Sequence, residues 1–232
     1  MRILAIIPVR GGSKGVSGKN IKLLNGKPLL AYTSEIALQS KQLTEVIIST
    51  EDEPIMEVAK NLGVKVPFVR PMALAQDNTP TIDVIIHALE WYKNQNVFFD
   101  AVCLLQVTSP FRTVAFLDEA IEKFMEKDTD SLVSVQKVPH EYNPHWTFEE
   151  NEKGNLKIAT GETEIISRRQ ELPTAYHRDG SIYLTKTKVL LNEHSLYGKS
   201  TAFIESDSES YVNIDTLQDW KKAEEMIQNK LK

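Results

Sequence analysis

Buried strands alternate with helices along the first half of the chain, and this order constrains the fold more than any other feature. Ile3–Val9 is a continuous apolar run, which is typical of a parallel strand covered on both faces. Further strands are predicted at Glu45–Ser49, Val64–Val69, Ala101–Gln106 and Ser131–Val138. Helices are predicted from Pro28 onward and at Glu53–Leu62, Thr81–Tyr92, Val114–Lys127 and Leu217–Leu231. The order predicts an α/β fold with a mostly parallel sheet and helices on both faces.

The pattern changes near Pro139, where the aromatic and turn-rich segment HEYNPHW begins. Asn151–Gly161 has the composition of a polar hairpin, and regular alternation of strands with helices returns only after Tyr176, in GSIYLT. We interpret residues 139–174 as an insertion within a single domain of residues 1–232, because the segment is too short to bury much surface alone. A dimerisation lobe is the favoured interpretation, and a long surface lobe on a monomer is the alternative.

The composition excludes several classes of protein. Hydrophobic residues make up 41% of the chain and charged residues 25%, so disorder and collagen-like structure are excluded. The net charge of −5 argues against a general binder of nucleic acids or anionic membranes. Cys103, the single cysteine, excludes a disulfide framework, and its apolar neighbours indicate a buried thiol. The absence of a signal sequence or an apolar run of ~20 residues favours a cytoplasmic location.

The loop after the first strand, RGGSKGVSGKN, combines glycines with three cations. Glycines let the backbone turn sharply and bring its N–H groups close to an anion. Arg10, Lys14 and Lys19 cluster here in a chain of negative net charge. A polyphosphate would explain the cluster, because its oxygens accept from both charged and backbone donors, whereas a solvated basic turn is the alternative. The amide of Asn20 can donate and accept, which suits the edge of a base.

Two well-known phosphate-binding patterns, GxxxxGK[ST] and GxGxxG, are missing from this loop. A Rossmann oxidoreductase therefore lacks its main support. Ligands of parallel α/β sheets bind at the carboxyl ends of the strands. The loops after Val9, Val69 and Gln106 are therefore expected to form the site.

Five segments, in order along the chain, resemble the acylneuraminate cytidylyltransferases, also called CMP-sialic acid synthetases. They are IPVRGGSKGVSGKNIKLLNGKPLL, FVRPMALAQDNTPTIDVIIHALE, LLQVTSPFRT, RRQELPTAYHRDGSIYL and VNIDTLQDWKKAE. The resemblance implies a nucleotidyltransferase-type, Rossmann-like sheet and a homodimer. It also implies an enzyme that converts CTP and a nine-carbon 2-keto sugar acid, a nonulosonic acid, into a CMP-sugar and pyrophosphate.

The resemblance further implies roles for individual residues. Those implied to bind CTP are Arg10, Gly11, Ser13, Lys14, Lys19, Asn20, Arg70 and Thr81. Those implied to bind the sugar are Gln106, Tyr176 and Asp179. Arg169, alone or with Arg168, matches an arginine of the insertion that approaches a neighbouring active site. The residues implied to act in catalysis are Arg10, Lys19, Arg169 and Asp215.

The terminal segment carries the residues expected to hold Mg²⁺, which prefers carboxylate and phosphate oxygens. Asp215 is the best protein ligand. The family usually has two aspartates that flank one residue at this point, whereas this chain reads Asn213-Ile214-Asp215. Asn213 can ligate Mg²⁺ through its carbonyl oxygen but contributes no charge. This departure leaves open a nucleotide-binding protein that has lost turnover.

The identity of the sugar acid stays open at this stage. N-acetylneuraminate, legionaminate and their relatives all fit, whereas the neighbouring 3-deoxy-octulosonate cytidylyltransferases have an opening loop that differs from SKGVSGKN. His177 and Arg178 stand at positions where related enzymes vary, so the preferred sugar acid can differ from N-acetylneuraminate. The acidic run of residues 51–53 is interpreted as a charge cluster at a helix N-terminus.

Overall fold

The computed structural model describes residues 1–230. The strands are β1 (Ile3–Pro8), β2 (Leu23–Leu24), β3 (Lys27–Pro28), β4 (Glu45–Ser49), β5 (Ala101–Leu105), β6 (Ser131–Lys137), β7 (Phe148–Glu150), β8 (Leu156–Ile158), β9 (Tyr176–Lys186) and β10 (Thr201–Glu205). The helices are α1 (Leu29–Gln39), α2 (Glu53–Asn61), α3 (Thr81–Asn94), α4 (Val114–Lys127), α5 (Thr187–Glu193) and α6 (Leu217–Lys230). Leu231, the predicted end of the last helix, lies outside the described residues.

A six-stranded sheet in the order β10-β6-β9-β5-β1-β4 forms the centre of the fold. β1 pairs in parallel with β4 and β5, and β6 pairs in parallel with β10. β9 lies between β5 and β6 and is antiparallel to both. The predicted α/β class with a mostly parallel sheet is therefore confirmed, although the sequence pattern did not predict the direction of β9.

Alternate residues of β1 pack against opposite layers of helices. Ile3, Ala5 and Ile7 join a core that includes apolar side chains of α1, α4 and α6. Leu4 and Ile6 join a second core with side chains of α3. Both faces of β1 are therefore buried, which is why its sequence is continuously apolar rather than alternating.

The predicted strand Val64–Val69 is wrong. Within it the structure forms only two isolated bridges, from Lys65 to Ile47 and from Val69 to Thr50. Pro67 lies between the bridges and has no N–H group, so it cannot donate to a neighbouring strand. The segment still follows the edge of the sheet and carries the chain to Arg70, whose N–H donates to the carbonyl of Thr50 (2.9 Å).

Residues 139–174 leave the sheet after β6 and return at β9. They contain the hairpin of β7 and β8, whose strands lie around the turn at Asn151–Asn155, so that the hairpin begins before its predicted start. The indole N–H of Trp146 donates to the carbonyl of Ile166 (2.6 Å) and ties the lobe together. Large apolar side chains of the lobe are nevertheless exposed, namely Tyr142, Phe148, Leu156 and Ile165.

Cys103 is fully buried in β5, as its apolar neighbours predicted. Burial raises the pKa of its thiol to about 12, so the thiol stays protonated near neutral pH. A protonated and inaccessible thiol is a poor nucleophile. In the described part of the chain, no helix has the length and apolar character needed to cross a bilayer.

Candidate active site

A cleft of about 560 Å³ lies at the carboxyl ends of β1 and β5, and its size is typical of ligand pockets. The loops after Val9, Val69 and Gln106 meet there, as the strand order predicts. Residues of β9 and of the segment before α6 complete its lining. The predicted site residues that line the cleft are Arg10, Asn20, Arg70, Thr81, Gln106, Asp179, Asn213 and Asp215.

Other predicted residues lie beside the cleft or away from it. Ser13 and Lys14 line a shallow depression next to it, which they share with Arg10. Tyr176 packs its ring against Phe203 with the ring centroids 4.8 Å apart, and it does not line the cleft. Arg169 lies in the insertion, on an exposed 3₁₀ turn. The roles predicted for Tyr176 and Arg169 therefore gain no support from the geometry of one subunit.

The glycine-rich loop approaches two other segments so closely that side chains are excluded. A Cβ atom at Gly11 would overlap the carboxylate of Asp52, and one at Gly15 would overlap the backbone carbonyl of Asp215. Glycine at these positions therefore lets the backbone of the loop pack directly against its neighbours. The close contact at Gly15 packs the glycine-rich loop against the segment before α6.

The side chain of Lys19 also links the glycine-rich loop to the segment before α6. Its Nζ donates to the carbonyl of Ile214 (2.8 Å) and to Oδ1 of Asp215 (3.1 Å). The Nδ2 of Asn213 donates to the other carboxylate oxygen of Asp215 (2.6 Å). The Asp215 side chain remains 60% exposed, so its carboxylate is accessible from the cleft.

Glu51 connects two predicted ligand-binding elements. One carboxylate oxygen accepts the N–H of Gly11 (2.9 Å), and the other accepts Nε–H of Arg70 (3.2 Å). Nη2 of Arg70 also donates to the carbonyl of Val9 (2.6 Å). The side chains of Arg70 and Glu51 are only 4% and 10% exposed. The interpretation of residues 51–53 as a simple charge cluster therefore fails at Glu51, although Asp52 does cap α2 by accepting the N–H of Ile55.

Glu51 should contribute to stability in a pH-dependent way. Burial favours the protonated acid, but hydrogen bonds from Arg70 and Gly11 outweigh it and hold the pKa of Glu51 below its usual value of 4.5. A lowered folded-state pKa stabilises the protein above the unfolded pKa, and the stabilisation is lost as pH falls through the folded value.

Replacing Glu51 with glutamine is expected to lower the free energy of unfolding at pH 7 by up to about 3 kcal/mol, because it leaves the buried charge of Arg70 unpaired. Urea unfolding at pH 7 and at pH 3 measures the effect, and the difference from wild type should shrink at the lower pH. Glu57→Gln is the matched control, since Glu57 is an exposed residue of α2. An equal loss of stability at both pH values would contradict the ionic role of Glu51.

Asp77 was not identified from the sequence as a site residue. Its carboxylate forms ion pairs with both Arg10 and Lys14. Hydrogen bonds from Lys14 and Arg10 hold the pKa of Asp77 below its usual value, so it is ionised near neutral pH. A bound anion would therefore compete with Asp77 for the cations of the loop.

Arg112 was also missed, although it lies in the quoted segment LLQVTSPFRT. Its buried guanidinium donates to the carbonyl of Gln106, to Thr33 (3.0 Å) and to Ser181 (3.1 Å). Burial lowers its pKa to about 10, which still leaves it charged near neutral pH. Arg112 therefore fixes the backbone from which Gln106 enters the cleft.

Asp179 is buried and lines the cleft. Its carboxylate accepts hydrogen bonds from Ser134 and Ser206 and from the N–H of Ser181 (2.8 Å). Ser134 is the residue at which the pairing of β6 with β9 shifts register. The cleft is also lined by Tyr183 and Tyr211, which the sequence did not single out, and by Arg178, which it linked only to variation in sugar preference.

Comparisons with known proteins identify relatives of this chain. The profile of a family described as "Cytidylyltransferase" matches residues 4–231. A CMP-N,N'-diacetyllegionaminic acid synthase of Legionella pneumophila is 39% identical over 98% of this chain and 97% of its own length. A pseudaminic acid cytidylyltransferase of Campylobacter jejuni is 36% identical over 94% of this chain and 93% of its own.

A solved structure shows the same fold. A CMP:2-keto-3-deoxy-manno-octonic acid synthetase in complex with CTP superposes with a TM-score of 0.73, covering 99% of this chain and all of the other at 17% identity. The match to the family profile covers nearly the whole chain, and the two relatives match over almost their full length. The chain therefore belongs to the cytidylyltransferase family, which confirms the resemblance found in its sequence.

Proposed function

We propose that the protein transfers the cytidylyl group of CTP to a nonulosonic acid and releases pyrophosphate. The observation that carries this proposal is the cleft itself, which Arg10, Asn20, Gln106 and Arg178 line together. Arg10 offers charge suited to a triphosphate, and Gln106 offers a polar group suited to a sugar. The relatives named as legionaminic and pseudaminic acid enzymes are similar over almost their full length.

In the proposed reaction, the anomeric hydroxyl of the sugar attacks the α-phosphorus in line with the departing pyrophosphate. A bond forms between the sugar oxygen and the α-phosphorus, the bond from that phosphorus to the bridging oxygen of pyrophosphate breaks, and the proton of the hydroxyl passes to solvent. Negative charge develops on the phosphoryl oxygens and on the leaving group. Arg10, Lys14 and Lys19 supply positive charge that stabilises the phosphoryl oxygens and the leaving group. Positioning and electrostatic stabilisation therefore account for most of the catalysis.

Asn20 is suited to recognise the base. It is buried, and its Nδ2 donates to the carbonyl of Arg10 (2.9 Å), which fixes the amide plane. Its Oδ1 can then accept from the exocyclic amino group of cytosine, which uracil lacks. Discrimination between a substrate amine and a substrate carbonyl can be large when a site is built around one of them.

Asp215 and Asn213 are the residues that would hold Mg²⁺. The carboxylate of Asp215 is exposed to the cleft and the amide of Asn213 is beside it, which together offer one charged and one neutral oxygen ligand. Within residues 1–230, no group of three or more His, Cys, Asp or Glu side chains is placed to hold a metal ion. Mg²⁺ in nucleotide sites is usually held by one or two carboxylates, phosphate oxygens and water. When bound, it would neutralise phosphate charge and make the attacking hydroxyl more acidic.

A pyrophosphate-release assay tests the proposed function. CTP and Mg²⁺ are supplied with N-acetylneuraminate, N,N'-diacetyllegionaminate, pseudaminate or 3-deoxy-octulosonate, one at a time. Release with at least one of the three nine-carbon acids is expected, and replacing CTP with UTP should abolish most of it. Turnover with 3-deoxy-octulosonate alone would contradict the substrate class.

Absence of turnover with every acid would contradict the proposed enzymatic activity. CTP binding without turnover would then favour the alternative, a nucleotide-binding protein in which Asn213 has replaced a metal-binding carboxylate. Recovery of activity in Asn213→Asp would establish that alternative.

We infer that two copies of the chain associate through residues 139–174. The exposed apolar side chains of this lobe are of the kind that interfaces cover. Analytical ultracentrifugation at micromolar concentration is expected to show twice the mass of the chain, and Leu156→Lys should shift the protein toward monomer. A wild-type monomer would remove the proposed contribution of Arg169 to a neighbouring active site.

A further inference from the structure

The cations of the cleft differ in whether the protein itself neutralises them. Two of them, Arg10 and Arg70, have carboxylate partners in Asp77 and Glu51. Arg178 also lines the cleft, but among residues 1–230 no carboxylate oxygen lies within 4.0 Å of its guanidinium. Arg178 is therefore the cation of this cleft that has no anionic partner of its own.

The side chains that hydrogen-bond to the guanidinium of Arg178 are the phenols of Tyr183 and Tyr197. Its Nη1 donates weakly to the hydroxyl of Tyr183 (3.4 Å). Burial raises the pKa of Tyr183, so this phenol stays uncharged near neutral pH. The adjacent carboxylate of Asp179 accepts hydrogen bonds from Ser134 and Ser206 instead. The positive charge of Arg178 is thus left available to a ligand.

The position of Arg178 in the sheet separates it from the glycine-rich loop. It lies on β9 opposite Val135 of β6, whereas the loop follows β1. β5 lies between β9 and β1, so the two strands are two spacings, or about 10 Å, apart. A triphosphate held by the loop therefore leaves Arg178 to the second substrate, which carries its own anionic group.

We propose that Arg178 binds the carboxylate of the sugar acid and so selects 2-keto acids over neutral sugars. This inference rests on the proposed function, which supplies the second substrate. Arginine presents a planar fork of donors that matches the two oxygens of a carboxylate. Because that carboxylate is bonded to the anomeric carbon, holding it would also orient the hydroxyl that attacks the nucleotide.

Kinetics of Arg178→Gln test the proposal. The KM for the sugar acid is expected to rise about ten- to a hundredfold, the usual loss for a hydrogen bond to a charged group. The KM for CTP should stay within about twofold, which also shows that the variant is folded. Arg178→Lys should recover part of the loss. The matched control is Arg2→Gln, because Arg2 lies at the other end of β1, over the ring of Phe99.

A second measurement asks which part of the sugar Arg178 contacts. The probes are the 2-deoxy analogue of the best acid, which has no attacking hydroxyl, and the methyl ester of that analogue. Wild type in the presence of CTP should bind the acid about ten- to a hundredfold more tightly than the ester. Arg178→Gln should bind the two about equally.

Two outcomes would overturn the inference. One is an unchanged KM for the sugar acid in Arg178→Gln. The other is an equal loss of affinity for the acid and the ester, which would place the contact elsewhere on the sugar. Failure of the proposed function is a separate result, because it would appear as wild-type enzyme that releases no pyrophosphate with any nine-carbon acid.

Discussion

Replacing Arg10 with alanine is expected to lower kcat for CMP-sugar formation about a hundredfold or more, the usual cost of removing a charge-stabilising donor from a transition state. Arg10 lies two residues after the end of β1 and lines the cleft. Its partner Asp77 lies at the surface, so the ion pair can yield to a phosphate. The effect should fall on kcat more than on KM, because negative charge on the phosphoryl group and leaving group increases during the reaction.

Steady-state kinetics over both substrates, with Arg10→Lys beside Arg10→Ala, measure this effect. Lysine keeps the charge but loses the planar fork, so it should recover only part of the activity. Lys60→Ala controls for a general loss of positive charge, because Lys60 is exposed on α2. Near-normal kinetics of Arg10→Ala would refute the role of the glycine-rich loop in the reaction.

The second large effect is expected for Asp215→Ala, which should raise the Mg²⁺ concentration required for half-maximal activity at least about tenfold. Changes to groups that merely support metal ligands cost 10–100-fold in metal affinity, and Asp215 is the charged ligand itself. Asn213 would remain as a neutral ligand, so activity should return in part at high Mg²⁺.

A Mg²⁺ titration at fixed CTP measures the shift, with Glu225→Ala as a control for lost negative charge on the neighbouring helix α6. Asn213→Asp should move the titration in the opposite direction, since it adds a carboxylate. The loss of Asp215 also frees Lys19, and Lys19→Met in the same titration separates that effect. An unchanged titration in Asp215→Ala would show that the metal has a different ligand.

Local sequence patterns predicted β1 and the loop after it, which form part of the lining of the cleft. The apolar run of β1 and the glycine and lysine residues after it are adjacent in the chain, so strand and loop could be identified together. β9 could not be placed in the same way. Its position between β5 and β6 depends on pairing with strands about 80 and 50 residues earlier, and its length alone does not encode direction.

Glu51 shows a further limit of sequence reasoning. The partners of Glu51 lie 40 and 19 residues away, so its local context suggested only a helix terminus. Tyr176 matches a sugar-facing position of the family and packs its ring on Phe203, so its role in binding the sugar stays a prediction.

The burial of Cys103 has a practical consequence for spectroscopy. Because this chain has one cysteine and its thiol is inaccessible and protonated near neutral pH, maleimide and spin-label reagents will leave it unmodified. A cysteine introduced at exposed Thr160, near the hairpin, would therefore take up the label selectively without prior removal of Cys103. Dipolar distances between two such labels would then test the proposed association of two copies in solution.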